Sequence, residues 1–191
     1  MKKTFIGGNI FLFLIFFCFP SKNNYSQSVY GGVKVGSSSI NSQTPEERGW
    51  KLNENLLSNY QIIIGLSASK NVDFYIRGGY SFASKTYKGY EVGLFYNHHL
   101  ISFISGYAGL QFHFNETIGH NSLLLGKTIK IFVLGVSFKV SKPLNIELDY
   151  GYPLDKEYAY FETCDENCTK YKVYGIIKLG LKMEFNLYSP E

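Results

Sequence analysis

Seven charged residues occupy strand-like segments of the chain, and they are the first candidates for chemistry. They are Arg77, Glu91, Glu147, Asp149, Lys178, Lys182 and Glu184. Each alternates with apolar neighbours, so a strand would place the charges on one face and the apolar residues on the other. Four acids and three bases on a shared inner face would pair with one another. We interpret them as a lumen charge network of salt bridges, and the alternative is a narrow ion path.

The amino-terminal residues predict export. Two lysines near the start precede the apolar run 10–19, and a polar stretch follows it. A positive start, a short apolar core and a polar exit are typical of a cleaved signal peptide, and the core is short for a membrane anchor. We therefore predict a signal peptide over residues 1–26, with cleavage near residues 26–28.

The signal also carries most of the excess charge. It contains three lysines and no acid, so the remaining bases nearly balance the 15 acids of the chain. The basic pI therefore gives no reason to expect a nucleic-acid partner. Only Cys164 and Cys168 remain after processing, and in an oxidising compartment we expect them to form a disulfide that pins a loop.

The mature chain alternates apolar and polar residues in eight segments. The last, residues 171–187, is about twice as long as an ordinary strand, and its apolar series from Val173 onward should face lipid. The first predicted strand covers residues 29–37, and the third covers residues 72–82. Tight turns alternate with longer connections, of which the longest predicted loops are residues 38–59, 115–127 and 153–170. An up-and-down barrel with both ends on one side generates this rhythm, with the loops outside the cell.

This pattern resembles the small eight-stranded outer-membrane β-barrel family, of the OmpA and OmpX kind. The resemblance rests on the strand alternation, the loop rhythm and the aromatic-ended segment Leu181-Lys182-Met183-Glu184-Phe185. It implies an all-β fold, an eight-stranded antiparallel up-and-down transmembrane barrel over residues 29–187. It also implies a location in the outer membrane of a Gram-negative cell.

No diagnostic catalytic or metal-binding motif accompanies this pattern. The four histidines, His98, His99, His113 and His120, have no acid or cysteine at a ligand-like spacing. His120 and Ser122 have the spacing used by barrel lipid A deacylases, but they fall in a predicted loop rather than on a late strand. We therefore expect no enzymatic activity, no cofactor and no metal.

The remaining expectation is a scaffold. We expect a non-enzymatic barrel that displays extracellular loops for surface interaction or envelope integrity, with Trp50 as a candidate contact in the first loop. Expected partners are outer-membrane lipid, the outer-membrane assembly machinery and an extracellular or envelope protein, and the barrel should be a monomer. The alternatives are a small pore or transport channel, a lipid A-modifying barrel enzyme, and a soluble periplasmic ligand-binding barrel with its apolar series inside.

Overall fold

A computed structural model describes residues 27–43, 48–52, 57–84, 86–116, 124–161 and 170–188. Within these ranges, eleven strands form one antiparallel sheet. They are β1 Ser28–Gln43, β2 Arg48–Leu52, β3 Asn59–Ser69, β4 Val72–Phe82, β5 Lys88–Ile101, β6 Ile104–Asn115, β7 Leu124–Gly126, β8 Thr128–Lys139, β9 Leu144–Pro153, β10 Glu157–Phe161 and β11 Lys170–Tyr188. The predicted signal peptide, the pair His120 and Ser122, and both mature cysteines lie outside the described residues.

Eight of these strands close into a barrel. The order around the barrel is β1, β3, β4, β5, β6, β8, β9 and β11, and β1 pairs with β11 to complete the ring. Neighbouring barrel strands follow one another along the chain, so the predicted eight-stranded up-and-down fold is confirmed. The three short strands lengthen the sheet at one end, where β2 pairs with β1 and β10 lies between β11 and β7.

The two ends of the barrel differ in their connections. At one end the chain turns within residues 70–71, 102–103 and 140–143, and we call this the short-turn end. At the other, which we call the loop end, the connections are longer on average and contain β2, β7 and β10. The first barrel strand begins and the last one ends at the short-turn end, as an even number of strands requires.

The period of two along each strand separates apolar from polar side chains. The exposed outer face carries large aliphatic residues at mid-height, including Ile62, Ile64, Ile76, Leu94, Leu110, Leu134, Leu148 and Leu179. Exposed aromatic residues flank this belt, with Tyr60, Tyr90, Phe114 and Tyr152 toward the loop end and Tyr96, Phe138, Phe185 and Tyr188 toward the short-turn end. An apolar belt between two aromatic girdles matches a bilayer and its interfaces.

The inward-facing residues are largely polar and charged. A soluble ligand-binding barrel would have the opposite polarity, so that alternative is wrong. Within the described ranges, no helix has the length and apolar character needed to cross a membrane.

β1 is longer than the predicted first strand. It continues beyond residue 37 to Gln43 because its final residues pair with β2 on one side and β11 on the other. Part of the predicted loop 38–59 is therefore strand. Trp50 lies in β2, with its backbone opposite Asn41.

The last strand contains a β-bulge that the sequence pattern conceals. Asn41 and Ser42 of β1 oppose Gly175 and Val173 of β11, so Tyr174 is an extra residue on β11. The bulge turns Val173 inward, where it is 0% exposed. The prediction that Val173 faces lipid is therefore wrong, and the lipid-facing series begins at Ile177.

Candidate functional site

A network of buried charges fills the middle of the lumen. Its members stand at inward positions of five barrel strands and each is less than a tenth exposed. They are Lys34 of β1, Arg77 of β4, Glu91 of β5, Glu147 and Asp149 of β9, and Lys178 and Lys182 of β11. Glu184 lies on the same side of β11, partly exposed at the short-turn end, 3.2 Å from Lys182. All seven charged residues singled out in the sequence therefore lie on the lumen side.

Arg77 reaches across the whole barrel. Three strands separate β4 from β9 in either direction around the ring, so the two strands form opposite walls. Arg77 Nη2 lies 3.1 Å from Asp149, and Nη1 lies 3.7 Å from Glu147. The guanidinium also donates to Gln111 Oε1 at 3.3 Å and lies 4.2 Å from the centre of the Phe95 ring. A charge, a hydrogen bond and an aromatic face thus hold this arginine.

Two lysines complete the neutralisation of the β9 carboxylates. Lys34 Nζ lies 2.8 Å from Glu147 and 2.9 Å from Asp149, and Lys182 Nζ lies 2.5 Å from Glu147. Tyr107 donates its hydroxyl to Asp149 and is 3.3 Å from Glu147. Buried carboxylates are tolerated only when their charge and lone pairs are satisfied in this way.

A second ion pair crosses the lumen nearer the loop end. Lys178 of β11 lies 2.5 Å from Glu91 of β5, and these two strands also form opposite walls. Gln61 Nε2 donates to the same carboxylate at 2.9 Å, and His113 Nδ1 lies 3.2 Å from it. The His113 ring stacks on Tyr87 with 4.0 Å between ring centres. These contacts connect the charged layer to the aromatic layer above it.

Lys34 is the member of the network that the sequence analysis missed. It alternates with Val33 and Val35, which is the same signal that identified the other charges. With Lys34 included, the charge network and the adjoining Glu184 contain four acids and four bases, while Asp73, nearer the short-turn end, pairs separately with His99. This balance fits a lumen that is packed rather than solvated.

The loop end of the lumen is closed by a second layer, which we call the cap. Tyr158 of β10 is fully buried, and its ring contacts Tyr87 at 5.7 Å and Tyr171 at 6.0 Å between ring centres. Tyr87 precedes β5 and Tyr171 lies in β11, so Tyr158 bridges opposite walls. Apolar side chains complete the layer, namely Ile40, Ile129, Ile131, Val173 and Ile176.

Asn115, the last residue of β6, fixes the cap to the barrel. Its Nδ2 donates to Thr86 O at 3.0 Å and to Tyr158 O at 3.2 Å. Its Oδ1 accepts from Lys88 N at 3.0 Å and lies 3.2 Å from His113 Nε2. One side chain therefore connects the start of β5, the β4–β5 connection and β10.

Replacement of Asn115 with alanine is expected to loosen the cap without unfolding the barrel. Lys88 N and Thr86 O lose their bonds to Asn115, while Tyr158 O keeps its bond from Lys127 N at 2.8 Å. Each bond lost without replacement corresponds to about tenfold faster local opening. Hydrogen exchange measured by mass spectrometry on the micelle-bound barrel should show this acceleration around Lys88 and β10. Asn71→Ala, in an exposed turn, is the matched control. Unchanged protection at Lys88 would contradict the role given to Asn115.

The other described histidines and acids do not converge on a metal site. His99 Nε2 lies 2.7 Å from Asp73 at the short-turn end, far along the strand from His113. Among the residues that the structure describes, no group of three or more His, Cys, Asp or Glu side chains is placed to hold a metal ion.

Comparison with known proteins supports the fold. No family model matches the chain, and no characterised protein matches its sequence. The solved structure of Neisserial surface protein A is 14% identical with a TM-score of 0.50, over 84% of this chain and 100% of that one. The outer membrane protein AlkL is 15% identical with a TM-score of 0.51, over 91% and 98% of the two chains.

These similarities, the closed ring and the exposed apolar belt define a membrane-spanning β-barrel. Its fold is that of the small eight-stranded barrels of the outer membrane.

Proposed function

We propose that the chain is a non-enzymatic outer-membrane scaffold whose sealed barrel displays loops at the cell surface. The observation that carries this proposal is that two ion pairs, Arg77 with Asp149 and Lys178 with Glu91, connect opposite walls of the lumen. In the usual orientation of such barrels, the short-turn end faces the periplasm and the loop end faces outward.

The packing of the lumen supports a scaffold over a pore. An eight-stranded barrel has an interior that side chains can just fill. Beside Arg77, Gln111 and Lys178 there is a cavity of about 10 Å³, which is room for about one water molecule. Above it the cap adds a layer of apolar and aromatic side chains. An ion path would have to break both the charged layer and the cap.

The sheet extensions support loop display. β2 pairs with the end of β1, and β10 is held between β11 and β7. In three of the connections at the loop end, the described residues near the barrel therefore form strands. Loops that begin and end in paired strands present a fixed surface, which favours recognition of an extracellular or envelope protein. Trp50, in β2, stays our candidate contact residue.

The closed ring also supports a monomer embedded in outer-membrane lipid. In the described part of the chain, each of the eight barrel strands pairs on both sides, so the ring leaves no barrel edge open to a second copy. Insertion of such a barrel would require the outer-membrane assembly machinery.

Conductance in a planar bilayer tests the proposal against a pore. The folded protein is expected to give no discrete current steps, because its lumen is crossed by paired side chains. The triple variant Arg77→Ala, Lys178→Ala and Tyr158→Ala removes both crossings and the central ring of the cap. It serves as a sensitivity control, for which we expect small steps. Steps in the unmodified protein that change size in Arg77→Ala would favour the pore over the scaffold.

A further inference from the structure

A cavity of about 390 Å³ lies at the short-turn end of the lumen. Side chains of six barrel strands and the turns 102–103 and 140–143 surround it. It ends inward at Lys182, whose ammonium is bound to Glu147 of the charge network. A molecule can therefore enter it only from the short-turn end, and its size is in the range of small-ligand sites.

Asn97 has an unused hydrogen-bond acceptor beside this cavity. Its side chain lines the cavity and the residue is 4% exposed. Asn97 Nδ2 donates to the Asp73 carboxylate at 3.0 Å. Because a carboxylate only accepts, this bond identifies which end of the amide is the nitrogen and which is the oxygen. The opposite atom, Oδ1, is buried and accepts no hydrogen bond from any described residue. A ligand that brings an N–H or O–H donor and displaces the atoms covering this oxygen would satisfy it.

The acids of the cavity already have partners. Asp73 lies 2.7 Å from His99 Nε2. Glu184 lies 3.2 Å from Lys182 Nζ and accepts from Asn145 Nδ2 at 3.0 Å. Neither carboxylate is therefore free to hold a cation from the ligand.

Two lysines of the cavity are not committed in this way. Lys139 ends β8, Lys142 lies in the following turn, and both line the cavity. Both are exposed, and neither forms an ion pair with any described residue. The charge that the cavity offers to a ligand is therefore positive, and its ligand should be an anion.

One wall of the cavity is apolar. It is lined by Ile101 at the end of β5 and by Phe103 and Pro143 in two neighbouring turns, and Phe103 is 54% exposed. An exposed aromatic ring beside polar lining residues such as Asn97 and Lys182 suits a ligand with a small apolar group next to its polar end.

We propose that this cavity binds the carboxyl end of a peptide. The terminal carboxylate would lie beside Lys139 and Lys142, the last peptide N–H would donate to Asn97 Oδ1, and a small apolar side chain would contact Phe103. In the outer-membrane orientation the peptide comes from the periplasm, as a free short peptide or as the tail of a protein. The site does not depend on the scaffold function, since it lies at the opposite end from the loops.

Titration of the folded, micelle-bound protein with N-acetyl-trialanine, followed by NMR, tests the proposal. We expect saturable binding with a Kd of about 0.1–1 mM, and about tenfold weaker binding of the same peptide with an amidated carboxyl end. Lys139→Gln and Asn97→Ala should each weaken binding of the free acid about fivefold to tenfold. Lys70→Gln is the matched control, because Lys70 is an exposed lysine at the same end that does not line the cavity.

The outcomes separate the proposal from a general anion site. Equal binding of the amidated peptide, equal binding of acetate, or unchanged binding by Lys139→Gln would each overturn it. The same tripeptide placed at the end of a soluble carrier domain distinguishes the two sources. Binding of the carrier assigns the site to protein tails, whereas binding of the short peptide alone assigns it to free peptides.

Discussion

Arg77→Met is expected to lower the free energy of unfolding by about 3–5 kcal/mol, the usual effect of removing one partner from a buried ion pair. Arg77 is 1% exposed and contacts Asp149, Glu147, Gln111 and the Phe95 ring. Methionine fills part of the volume of the arginine side chain. It removes the positive charge beside Glu147 and Asp149, which leaves these two buried carboxylates incompletely neutralised. Urea unfolding in lipid vesicles, followed by the mobility of unboiled protein on gels, measures the loss.

Two further variants separate lost pairing from general damage. Lys70→Met, at an exposed turn, should change stability by less than about 0.5 kcal/mol. The double variant Arg77→Met with Asp149→Asn should lose less than Arg77→Met alone, because it leaves no excess negative charge next to the missing guanidinium. Asp149→Asn alone completes the cycle. If the double variant loses the full sum of both single effects, the two residues are not coupled and the network is not the source of stability.

Gly135→Ala is expected to destabilise the barrel by about 2–4 kcal/mol through overpacking and lost hydrogen bonds. The Tyr107 ring lies flat across this glycine, and an ideal Cβ would stand 2.6 Å from the phenolic oxygen and closer to the ring carbons. The ring would have to move, and its hydroxyl would leave Asp149 and Glu147. The same unfolding experiment measures this loss.

Gly106→Ala provides the matched control for that substitution. Gly106 lies on the neighbouring strand, one residue before Tyr107, and a Cβ there meets only a methyl carbon of Leu100 at 3.9 Å. Its stability should therefore stay within about 0.5 kcal/mol of the unmodified protein. Equal losses in the two variants would mean that any added methyl group, rather than displacement of Tyr107, disturbs the strand pair.

The strands and the inward direction of most charges were predictable because a barrel strand has a strict period of two. Val72 to Phe82 illustrates this, since the predicted and observed strands coincide. The same period placed Glu91, Glu147 and Lys178 on the lumen side. Which acid meets which base was not predictable, because Arg77 and Asp149 meet across the lumen rather than between neighbouring strands.

Two features depend on tertiary contacts that leave no local signal. The bulge at Tyr174 preserves the apparent alternation of residue types while it changes the face on which Val173 lies. The cap depends on Tyr158, which comes from a connection whose polar composition predicted only a loop. Its burial follows from the edge-to-face contact of its ring with Tyr87 and from the bond that Asn115 makes to its carbonyl oxygen.

The position of Lys34 links barrel closure to charge neutralisation during folding. Lys34 belongs to the first strand, its partner Asp149 lies 115 residues later, and the two come together only when β11 joins β1 to β9. Until that seam forms, the only strand beside β1 in the ring is β3, which contains no acid. An unpaired cation at membrane depth is costly. A contact of such long range forms late. Completion of the ring therefore neutralises Lys34 together with the two pairs that cross the lumen, and an open intermediate is penalised by each of these uncompensated charges.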